Sequence, residues 1–141
     1  MHSIYLYSVP QTLIEQYWDN PNQDLFELIA ACDTVYQTSF EHCAFEHSQF
    51  LADHDLDYFM SHPQLTQLRS CESCIIYPKY VKGSFAWSYN RVDLDELERK
   101  AHAALGEKYD AAQLMQIVRE RLVPLANYAA DRDHYIVVDY G

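Results

Sequence analysis

The first third of the chain combines one alternating segment with two segments of helical spacing. Ile4–Val9 alternates apolar and polar residues and ends at Pro10, which predicts a strand. From residue 13 the apolar residues recur at i, i+1, i+4 and i+5, the spacing of a helix with one buried stripe. A turn at 19–22 ends this helix, and a second one is expected to begin near Gln23. The positions expected to face inward are Leu13, Ile14, Tyr17, Trp18, Leu25, Phe26, Ile29 and Cys32.

The middle of the chain carries a weaker pattern. Between residues 36 and 70 the apolar positions indicate two short helices joined around 53–55, and a further helical turn from Pro63. Ile75–Tyr77 and Phe85–Tyr89 read as strands on either side of a turn at Lys82–Gly83. The residues assigned to the two short helices are Phe40, Phe45, Phe50, Leu51, Leu56, Phe59 and Met60.

Two helices with clear end signals follow. Asp93 stands three residues before Glu96, the spacing of a capping box, and Gly106 is placed to end that helix at its C′ position. Asp110 is expected to cap the next helix in the same way. Pro124 lies inside the apolar stripe of this second helix, so a kink or a break is expected there.

The last apolar segment, 135–140, predicts a closing strand. Strands at both ends of the chain, a central pair of strands and the intervening helices indicate the α+β class. We therefore expect a small mixed or antiparallel sheet that includes both terminal strands and is packed by about five to six helices. The chain has 141 residues and no repeat, low-complexity tract or linker, so residues 1–141 are expected to form a single domain.

Charge is distributed unevenly along the chain, whose formal net charge is −11. The first 68 residues contain ten acids and no Lys or Arg, whereas the remaining 73 contain eleven acids and ten Lys or Arg. An unneutralised acidic surface repels phosphate backbones, which argues against direct binding of DNA or RNA. The same surface attracts a basic protein and speeds the encounter with it. The ten acids are Glu15, Asp19, Asp24, Glu27, Asp33, Glu41, Glu46, Asp53, Asp55 and Asp57.

Neither export nor membrane insertion is expected from the sequence. The N-terminal residues lack the basic region and the apolar length of an export signal, and no run approaches about eighteen apolar residues. A cytoplasmic location is therefore expected, with reduced thiols on the four cysteines.

Catalytic signatures are also missing from the sequence. Only three glycines occur, too few for the glycine-rich loops that bind phosphates or dinucleotides. No G-x-S-x-G, H-E-x-x-H or H-x-E…P-C-x-x-C arrangement occurs either. Neither an enzyme nor a bound cofactor is expected.

Two motifs contain residues of the types that bind metal ions. Cys71 and Cys74 form a C-x-x-C pair that, together with Cys43 and His47, offers ligands of the types that zinc binds. A zinc-binding regulatory or enzymatic domain is therefore the alternative hypothesis. Asp53–Asp57 begins like a calcium loop, but a tyrosine follows where the sharp turn needs glycine. A solvated acidic loop is the better interpretation of that segment.

Several segments carry a hydrophobic pattern that is shared with a known family. The segments are Ile4–Val9, Leu13, Pro21–Ile29, the surroundings of Trp87, Val92–Leu97, Tyr128–Ala130 and Asp133–Val138. On this pattern the chain resembles the YfbM-like family of small uncharacterised bacterial proteins. The resemblance implies a small cytoplasmic domain, some of whose relatives look like immunity proteins beside secreted toxins, and it implies no catalytic residue.

We hypothesise that the chain is a non-enzymatic protein-binding module. In this hypothesis a bacterial immunity-type protein neutralises a cognate toxin, and a basic toxin or effector domain docks on the acidic half. Trp18 is expected to be an apolar anchor of that contact. The protein is expected to be a monomer or a small homo-oligomer. The acids expected at the rim of the contact are Glu41, Glu46, Asp53, Asp55 and Asp57.

Overall fold

The structure is a computed structural model that describes residues 3–20, 22–41, 44–56, 74–77 and 84–139, apart from the side chain of residue 75. Four strands form one antiparallel sheet in the order β2-β1-β4-β3. The first and last strands lie side by side in its centre, so the α+β class and the inclusion of both terminal strands are confirmed. The strands are β1 (Ser3–Pro10), β2 (Tyr36–Glu41), β3 (Cys74–Tyr77) and β4 (His134–Asp139).

Helical segments cover both faces of the sheet. Two of them, α6 and α7, are joined by a π-helical turn into one continuous rod, so the described residues form six helices. The segments are α1 (Gln11–Asp19), α2 (Leu25–Ala30), α3 (Phe45–Asp53), α4 (Phe85–Tyr89), α5 (Leu94–Ala104), α6 (Ala111–Ile117), the π turn (Val118–Leu122) and α7 (Val123–Ala130).

Strand periodicity divides the core into two layers. Successive side chains of a strand point to opposite faces, so Leu6 belongs to one layer and Val9 to the other. The layer of Val9 is closed by α1 and α2, through residues such as Ile14 and Ile29. The layer of Leu6 is the main core, to which α3, α4, α5, α6, the π turn and α7 contribute. As a result α3 lies on the opposite side of the sheet from α1 and α2.

The helix-end signals near the C-terminus are confirmed. The Asp93 carboxylate accepts a hydrogen bond from the Glu96 N–H at 3.2 Å, at the start of α5. Asp110 accepts one from the Gln113 N–H at 3.0 Å, at the start of α6. Gly106 follows α5 with φ of 61°, in the left-handed region that glycine adopts without strain. These local signals act over a few residues, which explains why the sequence reveals them.

Pro124 is accommodated by a change of helix type rather than by a break. In a regular α-helix its ring would crowd the carbonyl of Glu120 and its missing N–H would leave that carbonyl without a donor. The π turn at Val118–Leu122 directly precedes α7, which carries Pro124 in its first turn. The wider turn relieves this crowding, and the rod continues.

Residues 36–41 depart from the expected helix. They form β2, in which Phe40 lies opposite Ile4 of β1 and joins the main core. Pairing with a strand more than thirty residues away decides this conformation, and no pattern within the segment reports it. The helices expected around Phe59, Met60 and Pro63 lie outside the described residues.

The expected strand at Phe85–Tyr89 is wrong, because this segment forms α4. Ser84 caps the helix by accepting the Trp87 N–H at 3.4 Å. Four of the five helical residues are buried, so no polar side reveals the helical period. Their aromatic content favours a strand when the sequence is taken alone. The turn at Lys82–Gly83 lies outside the described residues.

Candidate functional site

The segment from the end of β2 to the end of α3 carries four of the acids expected at a binding surface. Helix α3 turns Phe50 and Leu51 into the main core, which leaves its opposite face to solvent. The buried His47 connects α3 to the segment between α5 and α6, because its Nε2 donates a hydrogen bond to the Tyr109 carbonyl. We define the α3 surface as the exposed or half-exposed residues Glu41, Phe45, Glu46, Asp53 and Asp55.

Phe45 is the apolar member of the α3 surface. Its side chain is 65% exposed, and no other large apolar side chain in the described part of the chain is classed as exposed. Phe45 stands five residues before the buried Phe50, which places it about 140° around the helix from that ring. Sequence reasoning assigned both rings to a short helix without distinguishing their faces. The five-residue spacing was the available signal that Phe45 faces outward.

The acids of the α3 surface have no cationic partner among the described residues. The ion pairs within the described ranges lie elsewhere: Lys100 meets Glu96 at 3.0 Å, and Arg119 meets Asp95 at 3.2 Å. Among the described residues, basic side chains of α5 and the π turn therefore pair with acids of α5 and not with those of α3. The α3 surface retains its negative charge within the part that the structure describes, and its carboxylates repel one another.

Acids of α1 and α2 form a second exposed group on the other side of the sheet. Half-exposed aromatic rings lie beside them, with Trp18 against Tyr135 at a centroid distance of 5.8 Å. The sheet separates Trp18 from the α3 surface, so the structure does not bring this expected anchor to the expected rim. Asp57 lies outside the described residues. The acids of the second group are Glu15, Asp19, Asp24, Glu27 and Asp33.

The ligands of the zinc alternative are only partly within the described residues. His47 is buried in α3, and Cys74 at the start of β3 is disulfide-bonded, which differs from the expectation of reduced thiols. Cys43 and Cys71 lie outside the described residues. Within the described ranges, no three His, Cys, Asp or Glu side chains are placed to hold a metal ion. A zinc site that uses Cys74 requires that disulfide to be reduced, because zinc binds the thiolate.

A cavity of about 240 Å³ opens beside the α3 surface, between the end of α3 and helices α4 and α5. Asp55 belongs both to this cavity and to the α3 surface. Ser88 of α4 lines the cavity, is 4% exposed, and has no hydrogen-bond partner for its Oγ among the described residues. Sequence reasoning missed this cavity, because it expected a strand at Ser88 and because the lining comes from distant segments.

No helix in the described ranges is long and apolar enough to cross a lipid bilayer. Comparison of the chain with protein-family models, with curated proteins and with solved structures finds no match. The resemblance to the YfbM-like family therefore stays a prediction. Within the described ranges, the fold and the site define an α+β domain with an antiparallel sheet of four strands and an acidic surface on α3 that has no ion pair there.

Proposed function

We propose that this protein is a binding module for a basic protein, and that its role is that of a bacterial immunity-type protein which covers a cognate toxin. The α3 surface is the contact site in this proposal. One observation carries it: the acids of the α3 surface have no cationic partner among the described residues, and the exposed ring of Phe45 lies in the same segment. Opposite charge accelerates association, and a buried aromatic anchor slows dissociation.

The partner is a protein with an electropositive face. Toxins that act on nucleic acids carry such a face, because their active sites must attract phosphate. Binding of the α3 surface there blocks the substrate and neutralises charge on both proteins. Phe45 enters an apolar recess of the partner, and Glu41, Glu46 and Asp53 meet its Lys and Arg residues around that ring.

The test uses the product of the adjacent reading frame as the partner and titration calorimetry at about 50 and about 300 mM salt. The variant Glu41→Gln/Glu46→Gln/Asp53→Asn is expected to weaken binding by about tenfold or more at low salt, because it removes three interfacial charges. It also reduces the salt dependence. Phe45→Ala is expected to weaken binding at both salt concentrations with a similar salt dependence, because it removes an apolar contact and no charge.

The matched control is Glu15→Gln/Asp19→Asn/Glu27→Gln, which removes the same charge from the opposite side of the sheet. Affinity for the partner is expected to change less than about threefold in this control, since long-range attraction alone is screened at moderate salt. Equal loss in both triple variants contradicts the α3 surface as the contact site. Absent or salt-independent binding contradicts the proposal as a whole.

A further inference from the structure

The cavity beside the α3 surface is lined by both apolar and charged side chains. Its lining comes from two segments, 54–56 at the end of α3 and 87–100 across α4 and α5. The volume of about 240 Å³ lies below the roughly 300–1,000 Å³ of sites for drug-sized ligands. The cavity therefore suits a ligand about the size of an amino acid.

Ser88 is a buried polar residue among those that line the cavity. Its hydroxyl is buried and has no partner in the part of the chain that the structure describes. Folded proteins rarely leave a buried hydroxyl unpaired, because the group loses its bonds to water. The buried Leu56 and Leu97 and the ring of Trp87 give the cavity an apolar wall.

Part of the charged lining is already engaged by the protein itself. Asp93 caps α5, and Glu96 pairs with Lys100 at 3.0 Å. Asp55 and Arg91 also line the cavity, but neither forms an ion pair with a described residue. Within the described residues, one carboxylate and one guanidinium of the lining are therefore without an ion pair.

The two lining segments offer complementary groups. The Nδ1 of His54 donates a hydrogen bond to the Phe50 carbonyl at 2.9 Å, so Nε2 is an acceptor in the neutral ring. Together with Asp55, this nitrogen gives the first segment acceptors for a cationic group. Arg91 in the second segment offers only donors, which suit a carboxylate, and its guanidinium lies 5.1 Å from the centre of the Trp87 ring.

From this juxtaposition we propose that the cavity binds a free α-amino acid with an apolar side chain. Arg91 binds the ligand carboxylate, Asp55 and His54 bind its ammonium group, and its side chain packs on the apolar wall. The Ser88 hydroxyl, which is buried in the free protein, turns toward the cavity and forms a hydrogen bond with the polar end of the ligand. The complex is non-covalent and reversible. It does not require a protein partner, so its failure and the failure of the proposed docking are separate results.

Leucine is the probe, and NMR signals of the Trp87 indole and the Arg91 side chain report its binding. Saturable shifts are expected below about 10 mM leucine. Isocaproate, which lacks the ammonium group, isoamylamine, which lacks the carboxylate, and glycine, which lacks the side chain, are each expected to bind about tenfold more weakly or worse. No saturable shift with leucine overturns the proposal. Equal binding of isocaproate and leucine also overturns it, because the ammonium group then has no role.

Substitutions separate the site from a general effect of charge. Arg91→Gln and Asp55→Asn are each expected to weaken leucine binding by about tenfold. The matched controls are Arg99→Gln on α5 and Asp131→Asn after α7, both exposed and outside the lining, and they leave binding unchanged. A loss in the controls equal to that in the lining variants overturns the assignment.

Ser88→Ala tests separately whether the buried hydroxyl contributes to leucine binding. The variant is expected to weaken leucine binding severalfold without lowering the melting temperature, because the free protein loses no hydrogen bond. Unchanged leucine binding in this variant overturns the role assigned to Ser88. A lower melting temperature also overturns it, since that result means that the hydroxyl already has a partner in the free protein.

Discussion

Two helices end at a residue with positive φ, and they use different residues for it. Gly106 ends α5 with φ of 61°, whereas Asp55 ends α3 with φ of 59°. The Leu56 N–H donates to the Leu51 carbonyl at 2.8 Å, the long bond of a Schellman ending. Glycine adopts this conformation freely, but a residue with a Cβ loses about 1 kcal/mol there. Asp55 therefore gives up local stability at a position where its carboxylate lines the cavity and belongs to the α3 surface.

Replacing Asp55 by glycine should relieve this strain. We expect Asp55→Gly to raise the free energy of unfolding by about 0.5–1 kcal/mol in urea denaturation, and to weaken leucine binding. Gly106→Ala is the reverse control and should lower stability by about 1 kcal/mol. An added Cβ at Gly106 meets nothing closer than the His102 carbonyl oxygen at 3.9 Å, so this loss measures backbone strain alone. A less stable Asp55→Gly protein would contradict the claim that the backbone of Asp55 is strained.

Ionisation of the Tyr7 hydroxyl makes the stability of the fold depend on pH in alkaline solution. Burial is the main cause that raises the pKa of its hydroxyl above 10.0, and the nearby Asp139 and Tyr5 raise it further. A raised pKa in the folded state means that protonated Tyr7 stabilises the fold below pH 10, and that this contribution is lost as the pH rises through the folded-state pKa. The melting temperature should fall above about pH 10, and fall less in Tyr7→Phe. Tyr17→Phe, in the same layer, serves as the control, and an identical fall in all three proteins excludes the link.

At the scale of elements, the centre of the sheet is held by a buried polar pair. The Ser8 Oγ in β1 lies 2.9 Å from the Nδ1 of His134 in β4. Both side chains are buried. Hydrogen bonds of this kind add little when made but cost much when one partner is removed. The pair therefore favours the observed register of β1 against β4.

Removing the Ser8 hydroxyl is expected to weaken this interface. Ser8→Ala should lower the free energy of unfolding by about 1–3 kcal/mol, because a buried imidazole nitrogen loses its serine partner. Ser39→Ala, at a half-buried position of β2, is the control and should stay within about 0.5 kcal/mol of the parent. Chemical denaturation of the three proteins compares these values. Equal stability of the Ser8→Ala protein and the parent would show that the pair is unimportant for the sheet.

Element prediction succeeded where the signal is local and failed where it is not. Asp93 reveals α5 because its carboxylate acts on an N–H only three residues away. The helix α4 has no such visible signal, because nearly all of it is buried and Ser84 is a common residue in turns as well as at N-caps. Likewise Phe40 becomes a strand residue only through pairing with Ile4.

At the scale of the whole molecule, the sheet divides the negative charge between two sides. The acids of α1 and α2 lie on one side and those of α3 on the other, and neither group forms an ion pair with a described residue. Charges of one sign on both sides of a small domain repel one another and destabilise the compact state. The uneven charge therefore lowers the stability of the free domain.

This repulsion should make stability depend on salt. We expect the melting temperature to rise between about 10 and about 150 mM NaCl, as the Debye length falls from roughly 30 to roughly 8 Å. The rise should be smaller in Glu41→Gln/Glu46→Gln/Asp53→Asn, which has fewer repelling charges. Calorimetric scans in both buffers make the comparison. A melting temperature that falls with added salt would mean that attractive pairs dominate the molecule.

The amino-acid sequence by itself determined the class of the fold, the terminal strands, the capped ends of α5 and α6, and the imbalance of charge between the two halves. Each of these depends on residues that are close in the chain or on composition. Only the tertiary structure decided that residues 36–41 are a strand, that Trp18 and α3 lie on opposite sides of the sheet, and that Asp55, Ser88 and Arg91 line one cavity. These outcomes depend on which distant segments pack together, and a periodic pattern reports the face that is buried but not the partner that buries it.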